Sequence, residues 1–247
     1  MANVLLTGAA GAIGMDLAFS LNEAKINVFA TEADEDNFFL VSKSCKYYNK
    51  VFRAPRAGTD DYISRINEII VKENIDLIIP NPDFEVGFIS KIREQIKSPL
   101  FLPSDKTVQI LLSKSLTAQK IGNLAPRTFD VDNEDDLSNA ISSEKVVWLR
   151  PKTGAGGKGS LVVSDSKFGW MWVEYWKKRG FSSSWIAQEY LNGGNYNVTL
   201  IYDRNSNLCG MGMLERLGYI HEAISPTGVT GDVRLAKTVK LDKIIDV

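Results

Sequence analysis

The sequence contains little of several residue types on which particular protein classes depend. It has a single histidine, His221, and only two cysteines, Cys45 and Cys209, which are far apart and without metal-ligand spacing. A histidine-based zinc site, a Ser-His-Asp triad and a disulfide framework are therefore disfavoured. Two reduced thiols are typical of a cytoplasmic protein, and we predict that location.

The sequence also lacks an excess of charge and a long apolar run. Lysine and arginine total 29 against 30 aspartates and glutamates, for a formal net charge of -1. This balance indicates neither a nucleic-acid nor a membrane partner. No apolar run approaches the length of a membrane span, and the N-terminus has no basic region before its first strand, so we expect no signal peptide.

The first hundred residues alternate between strand-like and helix-like patterns. Short apolar runs at 3–7, 26–31, 51–53, 76–79 and 100–102 are separated by segments with helical spacing of apolar residues. Alternation of this kind predicts an α/β domain with a parallel sheet and helices on both faces. We place this Rossmann-like domain at residues 1–103, with the boundary near Pro103.

The pattern changes after Pro103. Two helical segments cover 105–122, with Lys114 near their junction, and helices follow at 133–142 and 167–179. Strand patterns at 186–190, 196–202 and 208–214 predict antiparallel hairpins, so this half is expected to be α+β. We assign it to a second domain, 104–247, with a first subdomain at 104–182 and a partial second subdomain at 183–247.

A glycine-rich loop with three cations lies between two strand-like runs of the second half. Glycine permits positive φ, which lets backbone N–H groups approach phosphate oxygens. An ordinary hairpin turn needs only two to five residues, so this longer loop favours phosphate binding. The candidate residues are Arg150, Lys152, Gly154, Gly156, Gly157, Lys158, Gly159 and Ser160.

A second glycine pattern, Gly8, Gly11 and Gly14, follows the first strand. Its spacing resembles the dinucleotide loop of the extended short-chain dehydrogenases, and Glu32 ends the second strand, where a carboxylate could hold ribose hydroxyls. That family's Tyr-x-x-x-Lys pair is missing, since Tyr175 is followed four residues on by Arg179. We favour a tight strand-to-helix turn without a ligand, and an NAD-dependent epimerase or dehydrogenase remains an alternative.

The order of motifs along the chain resembles the ATP-grasp superfamily, and within it the branch like the large subunit of carbamoyl phosphate synthase. A Rossmann-like pre-ATP-grasp domain comes first in that family. The motifs that match after it are Ser113-Lys114 with Thr117, Gly122 and Pro126, then Arg150-Pro151, Glu189-Tyr190-Leu191, and Gly194-Asn195-Tyr196 with Val198. The usual aspartate before the lysine is replaced by Ser113.

The resemblance implies an ATP-dependent ligase that activates a carboxylate or bicarbonate as an acyl-phosphate for attack by an amine or ammonia. In it, Lys114 and Arg150 would hold phosphate oxygens, the glycine loop would close as a lid, and the Glu189–Leu191 segment would read adenine. Asn195 stands where the ribose-contacting residue is usually glutamate. Arg216 would border the acceptor site and bind a carboxylate or acyl-phosphate, with surface charge as the alternative.

The family's Mg²⁺ ligands lie on later strands, and this sequence offers only Asp232, Asp242 and Asp246 past Glu222. We therefore predict no metal ligand here, a C-terminally incomplete ATP-grasp domain, and Mg²⁺ ligands beyond Val247. The expected context is a longer enzyme, or a homodimer or companion subunit that supplies the missing part. The alternative is a non-catalytic ATP-binding or assembly subunit.

Overall fold

The computed structural model describes residues 1–181 and 183–240. Asp242 and Asp246, considered above for metal binding, lie outside the described residues. The internal contacts of the chain define two compact units, the first from Met1 to Leu112 and the second beginning at Ser113. Each unit is described separately below.

The first unit contains a parallel sheet with helices on both faces. Its strands are β1 (Asn3–Thr7), β2 (Asn27–Glu32), β3 (Lys50–Arg53) and β4 (Leu77–Ile79). Its helices are α1 (Ala12–Glu23), α2 (Glu35–Ser44), α3 (Asp60–Glu73), α4 (Asp83–Lys91) and α5 (Asp105–Leu112). The strand order is β3-β2-β1-β4, and every pair is parallel, as predicted.

Alternate residues of β1 enter two separate cores. Leu5 packs in the cluster that includes Tyr62 and Ile66 of α3, whereas Val4 and Leu6 pack in the other cluster. Side chains alternate between the two faces of a strand, so a strand covered on both faces reads as a continuous apolar run. The continuous apolar run Val4-Leu5-Leu6 therefore reflects the burial of both faces of β1.

The strand predicted at residues 100–102 is wrong. Leu100 makes only an isolated parallel bridge to Ile78, and Phe101 donates its N–H to the Ile78 carbonyl at 2.8 Å. Pro99 and Pro103 flank this segment, and proline has no N–H to donate to a ladder. The helix that follows the predicted boundary, α5, packs against α4 of the first unit. The boundary at Pro103 itself stays a prediction.

The second unit begins with an antiparallel sheet and three helices. Its elements are α6 (Lys114–Ile121), β5 (Thr128–Val131), α7 (Glu134–Glu144), β6 (Val147–Pro151), β7 (Leu161–Val163), α8 (Ser166–Lys178) and β8 (Trp185–Glu189). The strand order is β5-β8-β6-β7. Asn133 and Asp165 start α7 and α8 by accepting hydrogen bonds from backbone N–H groups in the first turns.

A second antiparallel sheet follows, in the order β11-β10-β9. Its strands are β9 (Asn195–Tyr202), β10 (Leu208–Tyr219) and β11 (Val233–Thr238). The sequence predicted β9, but it ended β10 at Leu214 and missed β11. Register shifts interrupt the β10–β11 pairing near Gly218, which disturbs the alternation of apolar and polar residues at the end of β10. Every residue of β11 is exposed, so β11 has no buried face to give it such an alternation.

The two faces of the β9–β10 hairpin differ in polarity. Asn195 and Arg216 are paired and therefore share one face. The opposite face carries exposed apolar side chains, Tyr196, Val198, Leu200 and Met211, together with Glu215 and the buried Met213. Part of this face is thus apolar surface in contact with solvent.

In the described residues, no helix combines the length and the apolar character that crossing a membrane requires.

A buried acid lies where β1 and α4 meet in the first unit. Tyr62 donates its hydroxyl hydrogen to Glu85 Oε2. Burial raises the pKa of the Glu85 carboxyl above its ordinary value, despite hydrogen bonds from Tyr62 and Thr7 that oppose the shift. The folded chain therefore holds this proton more tightly than the unfolded chain does.

We predict that replacing Glu85 by glutamine makes the chain less sensitive to alkaline pH. A raised carboxyl pKa gives stability that is full below the unfolded pKa and is lost as pH rises through the folded value. Relative to the parent chain, Glu85→Gln should therefore gain stability between pH 5 and pH 8, by at most about 1.4 kcal/mol per pH unit. Urea unfolding midpoints at both pH values measure this difference.

Glu68→Gln is the matched control, because the Glu68 carboxylate is exposed, is paired with Arg65 and has a lowered pKa. Its difference from the parent chain should be the same at both pH values. An equal pH response of the two variants would contradict the assignment to Glu85.

Candidate functional site

The second unit contains a cavity of about 490 Å³ at the ends of its two sheets. Most of the residues selected from the sequence line it. They are Lys114, Arg150, Gly154, Gly156, Gly157, Lys158, Ser160, Glu189, Leu191, Asn195 and Arg216. Lys152 and Gly159 do not line it.

Strand β6 determines which side chains face the cavity. Val147 and Leu149 are fully buried in the core of the unit, so the alternate residues, Trp148 and Arg150, face the other way and line the cavity. Arg150 forms no ion pair within the described residues, and its Nε is buried without a hydrogen-bond partner there. Burial lowers the pKa of the guanidinium. A half-buried cation thus lies at the cavity wall and forms no ion pair with the described residues.

The glycine loop between β6 and β7 lines the same cavity as Arg150. Its four glycines, Gly154, Gly156, Gly157 and Gly159, all have positive φ. At Gly159 a side chain would also collide, since a Cβ there would lie 3.2 Å from both Pro151 and Trp185. Glycine is therefore required by backbone conformation and, at the end of the loop, by packing.

Helix α8 holds the end of the loop through an aromatic cluster. The Trp172 indole N–H donates to the Gly159 carbonyl at 2.7 Å. The Lys158 ammonium lies over the rings of Trp176 and Phe181, 5.7 and 5.5 Å from their centroids. These contacts give Trp172 and Trp176 of α8 a role in holding the loop.

Lys114 contacts the beginning of the same loop. It is the first residue of α6, after the N-cap Ser113. Its backbone N–H donates to the Lys152 carbonyl at 3.0 Å, and its Nζ donates to the Gly154 carbonyl at 2.6 Å. Lysine at this helix start therefore ties α6 to the glycine loop.

Arg216 forms the opposite wall together with a loop from the second sheet. Its Nη2 donates to the carbonyls of Thr230 and Gly231 at 2.7 and 3.0 Å. Gly231 comes so close to the glycine loop that a Cβ on it would lie 2.5 Å from Gly156 Cα. The guanidinium that the sequence assigned to a substrate carboxylate thus holds backbone carbonyls, while its Nε is buried and has no described partner.

Two selected residues have partners of their own. Lys152 forms an ion pair with Asp130 at 2.8 Å, which accounts for its position outside the cavity. Glu189 forms an ion pair with Arg127, which also contacts Glu144 at 2.6 Å. Among the described residues, four cations and one carboxylate therefore line the cavity, and the carboxylate lies 3.5 Å from the Arg127 guanidinium. The cavity favours an anionic ligand.

Sequence reasoning missed several lining residues, among them Trp148, Gln188, Phe181 and the 229–231 segment. Alternation along β6 could have identified Trp148, because it lies two residues before Arg150. The 229–231 segment gave no signal, since its position depends on the pairing of β10 with β11.

The described residues contain no group of three or more histidine, cysteine, aspartate or glutamate side chains placed to hold a metal ion. Glu189 is the one carboxylate among the described cavity residues, and it faces Arg127. These residues do not fit a protein-held Mg²⁺, which takes carboxylate and phosphate oxygens in octahedral array.

The first glycine loop is closed by its own contacts. A Cβ on Gly8 would lie 2.4 Å from Pro82, and one on Gly14 would lie 2.7 Å from the Gly8 carbonyl. The Glu32 carboxylate accepts hydrogen bonds from the N–H groups of Ala10, Ala33 and Asp34 at 2.9 to 3.1 Å. The carboxylate considered for ribose is thus occupied by backbone donors, including one from the loop itself.

Comparisons with protein-family models and with curated proteins give no match. Among solved structures, N5-carboxyaminoimidazole ribonucleotide synthetase from Thermotoga maritima matches with a TM-score of 0.59 and 14% identity, over 87% of this chain and 53% of that chain. Biotin carboxylase from Campylobacter jejuni matches with a TM-score of 0.63 and 18% identity, over 88% of this chain and 52% of that chain.

D-alanyl-alanine synthetase A from Vibrio cholerae matches with a TM-score of 0.60 and 13% identity, over 99% of this chain and 78% of that chain. The chain thus spans about half the length of the first two structures. At these identities the likeness concerns the fold. The chain has the ATP-grasp fold that its motifs resemble, with a parallel α/β unit followed by an α+β unit.

Proposed function

We propose that the chain binds ATP in the cavity of the second unit and serves as an ATP-dependent ligase module. The reaction would activate a carboxylate or bicarbonate as an acyl-phosphate, which an amine or ammonia then attacks. The observation that carries this proposal is the half-buried guanidinium of Arg150, which lines the cavity and forms no ion pair with the described residues.

A buried cation is costly unless an anion meets it. Lys114, Lys158 and Arg216 add positive charge around the same space, and Glu189, the one carboxylate among the described cavity residues, forms an ion pair with Arg127. A triphosphate has the charge that such a cavity requires, and Arg150 can bind phosphate oxygens by two parallel N–H donors. Charge complementarity therefore supports a nucleotide polyphosphate as the ligand.

The same residues suit phosphoryl transfer, in which catalysis depends mainly on positioning and on charge stabilisation. Arg150 would hold phosphate oxygens from the strand side, and Lys114, whose ammonium has three donors, would hold them from the helix side. The glycine loop would present N–H groups and exclude water. Arg216 would position the 229–231 segment against the loop.

The remaining nucleotide contacts follow from the motif resemblance. The backbone of Tyr190 and Leu191 would meet the base, and Asn195 would hold a ribose hydroxyl. Ser160 lies at the end of the loop and is 4% exposed. Lys152 and Gly159, selected from the sequence, would act only indirectly.

The folds of two synthetases and a carboxylase support ligase chemistry, and the carboxylase was solved as a beta-gamma-ATP complex. We assign the chain to the carbamoyl phosphate synthase-like branch on its motifs. A Mg²⁺ requirement, a cytoplasmic location, and a homodimer or companion subunit also remain proposals. The described cavity residues do not themselves supply the carboxylates that Mg²⁺ takes as ligands.

Two alternatives are separated by specific observations. A non-catalytic ATP-binding or assembly subunit is favoured by the scarcity of carboxylates among the described cavity residues, and it predicts ATP binding without turnover. An NAD-dependent epimerase or dehydrogenase is disfavoured, because Glu32 and Pro82 occupy the surroundings of the first glycine loop.

We predict that ATP stabilises the chain and that NAD(H) does not. A ligand at 100 times its Kd raises stability by about 2.7 kcal/mol if it binds only the folded state. Thermal unfolding with ATP, with and without Mg²⁺, and with NAD(H) measures the effect. Stabilisation by NAD(H) and none by ATP would overturn the proposal.

We predict that Arg150→Met weakens ATP binding by about 1.5–3 kcal/mol, the value of a hydrogen bond to a charged group. The same variant should unfold at a higher temperature without ligand, because it removes a buried cation that has no described partner. Calorimetric titration and thermal unfolding measure the two effects.

Lys152→Met is the matched control, since its ammonium lies two residues further on and pairs with Asp130 outside the cavity. It should bind ATP as the parent chain does. Equal losses of affinity in the two variants would remove Arg150 from its proposed role.

A further inference from the structure

Lys158 lines the cavity without a carboxylate partner among the described residues. Lys152 of the same loop, by contrast, pairs with Asp130 at 2.8 Å. The Lys158 ammonium lies over the rings of Trp176 and Phe181, 5.7 and 5.5 Å from their centroids, which is within the range of a cation–π interaction. A ring face attracts an ammonium group without neutralising it. The full charge of Lys158 is therefore available to a ligand.

The C-terminal turn of α8 brings these two rings together. Arg179 caps the helix, and Gly180 after it has a φ of 80°. The Gly180 N–H donates to the Lys177 carbonyl at 2.9 Å. The Phe181 N–H donates to the Trp176 carbonyl at 3.0 Å, which completes a Schellman motif. In this motif the residue after the glycine packs on the last turn of the helix, and the two rings accordingly meet edge to face at 5.7 Å.

Other aromatic side chains hold the pair from both sides. Trp172 contacts Trp176 edge to face at 5.8 Å, and Trp185 contacts Phe181 edge to face at 6.3 Å. Trp185 is 2% exposed and belongs to the core of the unit. The rings beneath Lys158 are thus fixed by the helix and by the core, before any ligand binds.

We propose that Trp176 and Phe181 are positioning residues, which hold the Lys158 ammonium at the cavity wall where it meets the phosphates of a bound nucleotide. A free lysine side chain loses rotamer freedom when it binds a ligand, and one already held on the rings has less to lose. The inference rests on the proposed binding of ATP. It makes phosphate affinity depend on the last turn of α8.

Phe181→Leu removes one ring and keeps an apolar side chain. We expect it to bind inorganic tripolyphosphate about 2- to 5-fold more weakly than the parent chain, the worth of an exposed cation–π contact. Lys158→Met should bind it about 10-fold more weakly, because a charged donor is lost. The double variant should bind as Lys158→Met does, since the ring acts only through the ammonium. Calorimetric titration of tripolyphosphate and of ATP into the four chains measures this cycle.

Two further variants separate positioning from direct contact with the ligand. Trp176 does not line the cavity, so Trp176→Leu should weaken tripolyphosphate binding by the same 2- to 5-fold through Lys158. Phe181→Tyr keeps the ring face and should bind as the parent chain does. Trp170→Leu is the matched control, because its ring lies 4.3 Å from the Lys177 ammonium and outside the cavity. It should leave the affinity unchanged.

An equal loss from Phe181→Leu in the parent chain and in Lys158→Met would overturn the inference. Parent-like or tighter binding by both Phe181→Leu and Trp176→Leu would do the same. A loss in Trp170→Leu as large as that in Trp176→Leu would assign the effect to the packing of α8, and would also count against positioning.

The two proposals fail in different ways. If neither ATP nor tripolyphosphate binds the parent chain, the proposed function is wrong. If either binds and the ring variants keep the parent affinity, the function stands and the role of Trp176 and Phe181 is wrong.

Discussion

The direction of the Arg150 side chain is set by the strand that carries it. Val147 and Leu149 must enter the core, and the alternation of β6 then leaves Arg150 no direction except the cavity. Two hydrogen-bonded contacts hold the loop that follows Arg150 in the chain. Lys114 ties α6 to both Lys152 and Gly154, so the loop that begins beside the buried cation is held at its start. Trp172 holds the same loop at its end. The positive charge at this cavity wall thus follows from the burial of Val147 and Leu149 in the core. Partial burial of a cation costs free energy, which an anion in the cavity would offset.

The two glycine loops show that one residue type can serve two physical purposes. Around Gly8 and Gly14 neighbouring atoms already occupy the space that a Cβ would need, and Glu32 binds a loop N–H, so these glycines permit close packing. Gly154 and Gly156 have positive φ, and an added Cβ on either would meet nothing within 4 Å. Glycine there serves backbone conformation and leaves room for a ligand. Spacing patterns alone do not distinguish these cases, since both loops are read as clusters of glycine after a strand.

Local patterns predicted most of the fold. Continuous apolar runs marked the parallel strands. The failures have non-local causes. A bridge replaced the strand predicted at 100–102 because prolines flank it, and β11 was missed because its residues are exposed. For the site, sequence order located Lys114, Arg150 and Glu189, which all line the cavity. It could not show that Lys152 pairs with Asp130, that Arg216 holds backbone carbonyls, or that Trp148 shares the cavity wall, because each depends on tertiary neighbours.

The β9–β10 hairpin, with Asn195 and Arg216 on one face and Tyr196, Val198, Leu200 and Met211 on the other, has a thermodynamic consequence. A contact on the charged face would weaken as ionic strength rises, because salt screens charges. A contact with the exposed apolar side chains of the other face would carry a negative heat-capacity change, because it releases water from apolar surface. The salt dependence and the heat-capacity change of binding would therefore report on different side chains of one hairpin.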